Sequence, residues 1–237
     1  MVEFALLDAS VGETPVRRNF RRELPGDVTV FEVSDGELPP EPEAVSFDAA
    51  VISGSQCSAY DDQPWIANTE QWARTAHEAG IPMLGVCWGH QLLAEALGGR
   101  VADMGERELG YRTVRRAGAS QLFNGVSRTF TAFETHTDAV VELPANARVT
   151  ARNDAALQGF QLGRTYGVQF HPEYDLDAAR WVIEQKDISE EQKRAALDTV
   201  TEDAYAAAAQ ARLVFENFRR VVAGERVCRI DPLTSVE

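Results

Sequence analysis

One cysteine of the chain stands in a sequence context that is typical of a catalytic nucleophile. Cys87 is the middle residue of segment 85–89, which reads G-V-C-W-G and joins an apolar run to a helix-forming one. Glycines on both sides of the nucleophile allow a sharp strand-to-helix turn, because side chains there would clash with neighbouring backbone. The turn leaves the sulfur at a helix N-terminus, where the partial positive charge favours the thiolate. Cys57 and Cys228 lack this context, and we expect them to be ordinary buried cysteines.

A thiolate nucleophile requires an imidazole partner, and His171 directly follows a predicted strand at residues 165–170. Glu173 lies two residues further along the chain. Because residues two apart face the same side of an extended segment, Glu173 can bond to Nδ1 of His171 and leave Nε2 for the sulfur. The spacing predicts a triad with Cys87 as nucleophile, His171 as base and Glu173 as the residue that orients the base.

Acyl transfer also requires two backbone N–H donors directed at the developing oxyanion. The residue after the nucleophile, Trp88, supplies one of them. Gly54 lies in the S-G-S sequence of residues 53–55, at the end of another predicted strand, and its N–H is not obstructed by a side chain. We therefore expect Gly54 and Trp88 to form the oxyanion hole.

Four segments of the chain resemble, in sequence and in order, those of the class I (triad-type) glutamine amidotransferases. The resemblance implies hydrolysis of the side-chain amide of glutamine through a thioester on Cys87, with release of ammonia. It assigns His171 and Glu173 to the same triad. The four segments are residues 51–55, 85–91, 135–138 and 166–173.

The resemblance also implies which residues contact the bound glutamine. Gln91 follows the nucleophile turn, and Thr135 and His136 belong to a T-H-T-D sequence that is similar to the family's S-H-x-D segment, with threonine where serine is common. The match is closest to stand-alone members similar to the GMP synthase glutaminase subunit and to the γ-glutamyl peptidases. We expect no synthetase domain in this chain, so the resemblance implies that, if the chain supplies ammonia to a synthesis, a separate synthetase subunit receives it.

The sequence leaves the substrate open between glutamine and other γ-glutamyl compounds. A stand-alone γ-glutamyl peptidase would use the same triad as a glutaminase, and a non-catalytic sensor could retain the cysteine without turnover. We expect no metal or other cofactor, because the histidines and acidic residues show no ligand spacing and the sequence contains no phosphate-binding P-loop.

The elements that must position these residues alternate between strands and helices in the first half of the chain. Apolar runs without polar alternation, separated by helices, predict a parallel sheet that is covered on both faces. We predict an α/β fold with a doubly wound, mostly parallel central sheet, extra β segments between residues 101 and 151, and a helical C-terminal tail. The predicted strands are 4–7, 28–33, 49–52, 82–86 and 165–170, and the predicted helices are 16–24, 69–78, 91–97, 177–186 and 203–222, the last closed by Gly224.

The composition limits the classes of partner. The 237 residues include 37 acidic and 23 basic side chains, and the net charge of −14 argues against nucleic acids and membrane surfaces. Only two of the basic residues are lysines, which is typical of proteins from salt-loving cells, although a GC-rich genome also favours arginine.

Three scattered cysteines, with no signal peptide or membrane span, predict a cytoplasmic protein. We expect one domain over residues 1–237, with a core of about 1–185 and a helical extension of about 186–224.

Overall fold

The computed structural model describes residues 1–225, which fold around a nine-stranded sheet. Cys228 lies outside the described residues. The strands are β1 (Glu3–Asp8), β2 (Asp27–Glu32), β3 (Ala49–Ile52), β4 (Met83–Val86), β5 (Arg100–Arg116), β6 (Thr129–Glu142), β7 (Arg148–Arg152), β8 (Leu157–Leu162) and β9 (Thr165–Val168).

The sheet has a parallel half and an antiparallel half. The strand order is β2-β1-β3-β4-β9-β8-β7-β5-β6. The pairs from β2 to β9 are parallel, and those from β9 to β6 are antiparallel. All residues of β3, β4 and β9 are buried, as expected for strands in the middle of a sheet that is covered on both faces.

Seven α-helices occur within residues 1–225, and none of them combines the length and hydropathy that a membrane span requires. Two begin several residues earlier than predicted. The second helix begins at Pro64, because proline is well suited to the first helical position, and the third begins at Trp88, directly after the nucleophile. The helices are α1 (Val16–Glu23), α2 (Pro64–Glu78), α3 (Trp88–Ala96), α4 (Leu176–Gln185), α5 (Glu190–Leu197), α6 (Glu202–Ala207) and α7 (Leu213–Val222).

Helices cover both faces of the parallel half, which confirms the predicted doubly wound α/β fold. On one face, Phe20 of α1 and Phe218 of α7 pack with Phe4 of β1 in one apolar cluster. On the other face, Trp72 of α2 and Leu92 of α3 belong to a second cluster. A third cluster lies over the antiparallel half, beneath α4 and α5.

The prediction of one continuous helix over residues 203–222 is wrong. α6 ends at Ala207, a 3₁₀ turn follows, and α7 begins at Leu213. Ala208 packs in the third cluster, whereas Val214 of α7 packs in the first, so the two segments pack against different parts of the core. The predicted end of the helix at Gly224 is confirmed, because this residue adopts the left-handed conformation with φ 67°.

Candidate active site

The residues predicted to carry out the chemistry follow three neighbouring strands. β4 lies between β3 and β9 and is parallel to both. Gly54 follows β3, Cys87 follows β4 and His171 follows β9. Because the carboxyl ends of parallel strands meet at one edge of the sheet, the fold brings these three residues together there.

The backbone at Cys87 is strained in the manner that its sequence context predicts. Cys87 has φ 54° and ψ −106° and caps α3. Non-glycine residues rarely adopt such a conformation, which costs about 1–3 kcal/mol. A Cβ on Gly85 would lie 2.3 Å from the carbonyl oxygen of Gly89, and a Cβ on Gly89 would lie 2.3 Å from that of Ile52. Both glycines are therefore needed for the close packing of this turn.

His171 and Glu173 form the pair that their spacing predicts. Nδ1 of His171 is 2.7 Å from Oε1 of Glu173, whose side chain is fully buried. Nε2 of His171 has no hydrogen-bond partner among the described residues. A Cβ built on Gly54 would lie 3.0 Å from Cε1 of His171 and 3.7 Å from Cβ of Cys87. The imidazole and the thiol thus lie side by side, and Nε2 is the ring atom left for the sulfur.

Three contacts hold this segment in place. The N–H of His171 donates to the carbonyl oxygen of Phe133 on β6 at 2.8 Å. The ring of Tyr174 stacks against the imidazole, with centroids 4.3 Å apart. Arg22 of α1 donates to the carbonyl oxygen of Glu173 at 2.5 Å. The base is therefore positioned by β6 and α1 as well as by its own strand.

The charges of the site favour a thiolate–imidazolium pair. Burial raises the pKa of Cys87, but the positive charges of His171 and, to a smaller extent, His136 outweigh it, so the net effect is a lowered pKa. Burial lowers the pKa of His171, but the negative charges of Glu173 and Cys87 raise it to about 10. At neutral pH the ring is protonated and holds its proton for a leaving group, while the lowered thiol pKa favours the reactive anion.

The peptide that carries the Gly54 N–H has a fixed orientation. The carbonyl oxygen of Ser53 accepts from the N–H of Gly89 at 3.1 Å. In a trans peptide the N–H of Gly54 points away from that carbonyl, so its direction is set before any substrate binds. Trp88 is the first residue of α3, where an N–H has no acceptor within the helix. Its ring is buried against Trp65, with centroids 5.2 Å apart.

A cavity of about 310 Å³ lies beside Cys87, and the predicted substrate contacts Gln91, Thr135 and His136 all border it. The amide nitrogen of Gln91 donates to the carbonyl oxygen of Asp138 at 2.8 Å, so a contact with substrate would be made through its amide oxygen. The hydroxyl of Thr135 is buried and has no hydrogen-bond partner within residues 1–225. It is therefore free to bind a ligand.

Gln169 is a site residue to which sequence reasoning assigned no role. Its Nε2 is 3.6 Å from Sγ of Cys87, and its Oε1 accepts from Gln91 at 3.1 Å. An N–H donor beside the sulfur favours the thiolate. A signal was present in the sequence, because Gln169 lies two residues before His171 and residues two apart in an extended segment share a face.

His136 is held in a buried acidic cluster. Its Nε2 is 3.1 Å from Oε2 of Glu108 and 3.4 Å from Oε2 of Glu134. Burial lowers the pKa of His136, but hydrogen bonds to the two carboxylates raise it to about 10. The three ligand atoms lie within 4.8 Å of one another, close enough to hold a metal ion. However, Glu108 also accepts from Asn153 and Gln158. The protonated ring of His136 lies beside both carboxylates and occupies the position that a cation would take.

A second cavity, of about 50 Å³, lies on the His171 side of the nucleophile. Gly54, Cys87, His171 and Tyr174 border it, together with apolar side chains of α1 and α4. Lys186 borders both cavities and was not identified as a site residue from the sequence. No motif marks it, because only the packing of α4 against the site brings it there.

Some known proteins match this chain in sequence over part of their length, and others share its fold. The GMP synthase [glutamine-hydrolyzing] of Vibrio campbellii is 38% identical over 129 residues, which are 53% of this chain and 24% of that protein. The protein of the same name from Azoarcus sp. is 38% identical over 135 residues, which are 52% and 25%. The chain thus spans about a quarter of the length of these curated relatives.

Solved structures share the fold over nearly the whole chain. A glutamine amidotransferase from Thermotoga maritima superimposes with a TM-score of 0.75 at 24% identity, covering 92% of this chain and 97% of that one. A glutamine amidotransferase from Methylobacillus flagellatus superimposes with a TM-score of 0.77 at 21% identity, covering 99% of each chain. Residues 9–187 also match the family described as glutamine amidotransferase class-I. The resemblance inferred from the four motifs is therefore confirmed, and the chain belongs to the class-I glutamine amidotransferase family.

Proposed function

We propose that this chain hydrolyses the side-chain amide of glutamine through a thioester on Cys87 and supplies ammonia to a separate synthetase. The observation that carries the proposal is the arrangement at the sheet edge, where a strained cysteine at a helix N-terminus adjoins a histidine that is bonded to a buried carboxylate at 2.7 Å. This arrangement supports nucleophilic acyl transfer and argues against a sensor without turnover, which has no need of an oriented base.

In the first half-reaction the thiolate of Cys87 attacks the amide carbon of glutamine, and an electron pair of the carbonyl bond moves onto its oxygen. The N–H groups of Gly54 and Trp88 stabilise this oxyanion, and each such donor contributes about 3 kcal/mol. When the tetrahedral intermediate collapses, Nε2 of His171 gives its proton to the leaving nitrogen. Ammonia departs and a γ-glutamyl thioester remains on Cys87.

In the second half-reaction water attacks the thioester carbon and His171, now neutral, accepts a proton from it. The same two N–H groups hold the second oxyanion. Its collapse breaks the carbon–sulfur bond, returns the electron pair to Cys87 as thiolate and releases glutamate. The sum is glutamine and water to glutamate and ammonia, and the thiolate–imidazolium pair is regenerated.

The size of the two cavities favours glutamine over γ-glutamyl peptides. The cavity bordered by Gln91 and His136, at about 310 Å³, has room for a γ-glutamyl group. The leaving nitrogen must face His171, where the cavity is about 50 Å³. A water-sized molecule needs roughly 10–15 Å³ of such space, so this side suits ammonia and a hydrolytic water better than an amino acid.

The synthetase partner is proposed from the relatives. The matching proteins of Vibrio campbellii and Azoarcus sp. are named as glutamine-hydrolyzing GMP synthases, and this chain covers about a quarter of each. We propose that a synthetase of this kind is the partner that consumes the ammonia.

The test measures ammonia released from glutamine and amino acid released from γ-glutamylglycine by the isolated chain. We expect glutamine to be the better substrate, with activity abolished in Cys87→Ser. The matched control is Cys57→Ser, because Cys57 is half-buried and borders the larger cavity yet has no role in the mechanism. Faster cleavage of the dipeptide would instead identify a γ-glutamyl peptidase, and an active Cys87→Ser variant would refute the mechanism.

A further inference from the structure

Lys186 is a cation at the active site that the mechanism above does not use. It directly follows α4, is half-buried and borders both cavities beside Cys87. The chain has one other lysine, Lys193, which lies 3.7 Å from a carboxylate oxygen of Glu190. In the part of the chain that the structure describes, Lys186 has no such ion pair.

A second cation without an ion pair among residues 1–225, Arg107, borders the larger cavity. The two cations are close enough to repel each other: burial lowers the pKa of Lys186, and the charge of Arg107 adds to that effect. The chain carries 37 acidic side chains, yet within residues 1–225 none of them pairs with these two. Two carboxylates, Asp138 and Asp187, also border this cavity, but neither forms an ion pair with Lys186 or Arg107 within residues 1–225. The two cations are therefore left to attract an anionic group of a ligand.

We propose that Lys186 and Arg107 form a subsite that binds the α-carboxylate of the γ-glutamyl substrate. The inference rests on the proposed function, because it takes the larger cavity to hold the γ-glutamyl group. Arg107 borders the larger cavity, together with Gln91 and His136, and does not border the smaller one. A carboxylate on the leaving group would lie on the His171 side, where Lys186 is the sole lysine or arginine and the space is about 50 Å³.

The subsite predicts which kinetic constant should change. The α-carboxylate is remote from the amide carbon, and its charge is the same in the ground state and in the transition state. An interaction with it contributes uniform binding, which lowers KM and leaves kcat unchanged. Lys186 also lowers the pKa of Cys87 by its charge, but that effect applies equally to substrates with and without the carboxylate.

The experiment compares Lys186→Met with the matched control Lys193→Met on glutamine and on glutamine α-amide, which lacks the carboxylate. For Lys186→Met we expect KM for glutamine to rise about 10- to 100-fold, as expected for losing a hydrogen bond between charged groups. The preference for glutamine over the α-amide should fall by the same factor. Arg107→Gln should reduce this preference by a smaller factor, because Arg107 is exposed. An unchanged preference in Lys186→Met would overturn the subsite even if glutaminase activity is intact.

A second measurement does not depend on turnover. A diazoketone analogue of glutamine and its α-methyl ester are compared as alkylating agents of Cys87, with the adduct followed by mass spectrometry. We expect the acid to label the unsubstituted protein faster than the ester does, and the two rates to converge in Lys186→Met. Carboxylate-dependent labelling without ammonia release would support the subsite and refute the proposed function. Equal labelling by both agents in the unsubstituted protein would refute the subsite.

Discussion

The pair formed by His171 and Glu173 yields a prediction whose magnitude follows from the structure. In Glu173→Gln the amide is nearly isosteric with the carboxylate, but the negative charge 2.7 Å from Nδ1 of His171 is lost. The pKa of His171, about 10 with the carboxylate present, should then fall. A hydrogen bond between charged groups contributes about 1.5–3 kcal/mol, which lowers this pKa by about one to two pH units.

The lower pKa of His171 affects both steps of the reaction. The charge of the imidazolium offsets the effect of burial on the pKa of Cys87. In the variant His171 gives up its proton at a lower pH than in the unsubstituted protein, so the thiolate forms at a higher pH. The ring is also no longer held with its proton on Nδ1 once it becomes neutral, so the wrong tautomer is populated. We expect kcat/KM to fall about 10- to 100-fold. The alkaline limb of its pH profile should move to lower pH.

The assays are the pH profile of kcat/KM with glutamine and the pH dependence of alkylation of Cys87 by iodoacetamide. Glu142→Gln is the matched control, because Glu142 is an exposed carboxylate that pairs with Arg100 at 2.7 Å, on an edge strand of the sheet. If Glu173→Gln retained both the rate and the alkaline limb of the unsubstituted enzyme, the pair would have no part in holding the imidazolium. Circular dichroism would first establish that the variant is folded.

Three further predictions concern the turn, the C-terminal helix and the solvent. Gly89→Ala should prevent stable folding, because its Cβ would lie 2.3 Å from the carbonyl oxygen of Ile52, and an expressed variant with an unchanged melting temperature would contradict this. Phe218→Ala, at a fully buried ring, should cost about 3–5 kcal/mol in urea unfolding, whereas Leu213→Ala on the same helix, at a position that is 37% exposed, should cost much less. The unfolding midpoint should fall on transfer from molar to millimolar KCl, because screening of the −14 charge is lost, and an equal midpoint would exclude adaptation to salt.

The core strands and the nucleophile turn could be predicted from the sequence because they depend on local pattern. Apolar runs without alternation, such as residues 49–52, predict central parallel strands, and the structure confirms this one residue for residue. The turn at Cys87 is encoded by two glycines that lie within a few residues of it. A side chain on either of them would clash with neighbouring backbone. The pair of His171 and Glu173 is likewise a matter of spacing along one extended segment.

Other features depend on distant packing and left no local signal. Residues 203–222 have helical propensity throughout, yet the helix is interrupted by the turn before Leu213 because α6 and α7 pack in different clusters. The cavity beside Cys87 is bordered by residues from five segments of the chain, so neither its size nor its charge could be foreseen. Lys186 is the clearest case, since its sequence neighbours suggest only a helix end.

By itself the sequence determined the residues on which the proposed chemistry depends: a cysteine in a glycine-flanked turn, a histidine with a carboxylate two residues away, and the α/β framework that alternates around them. These are determined locally because sterics and strand geometry act over a few residues. Only the tertiary structure decided that β4 lies between β3 and β9, which places Gly54, Cys87 and His171 at one sheet edge. It also decided the protonation of the site, because the pKa values of Cys87 and His171 follow from burial and from charges brought together across the fold.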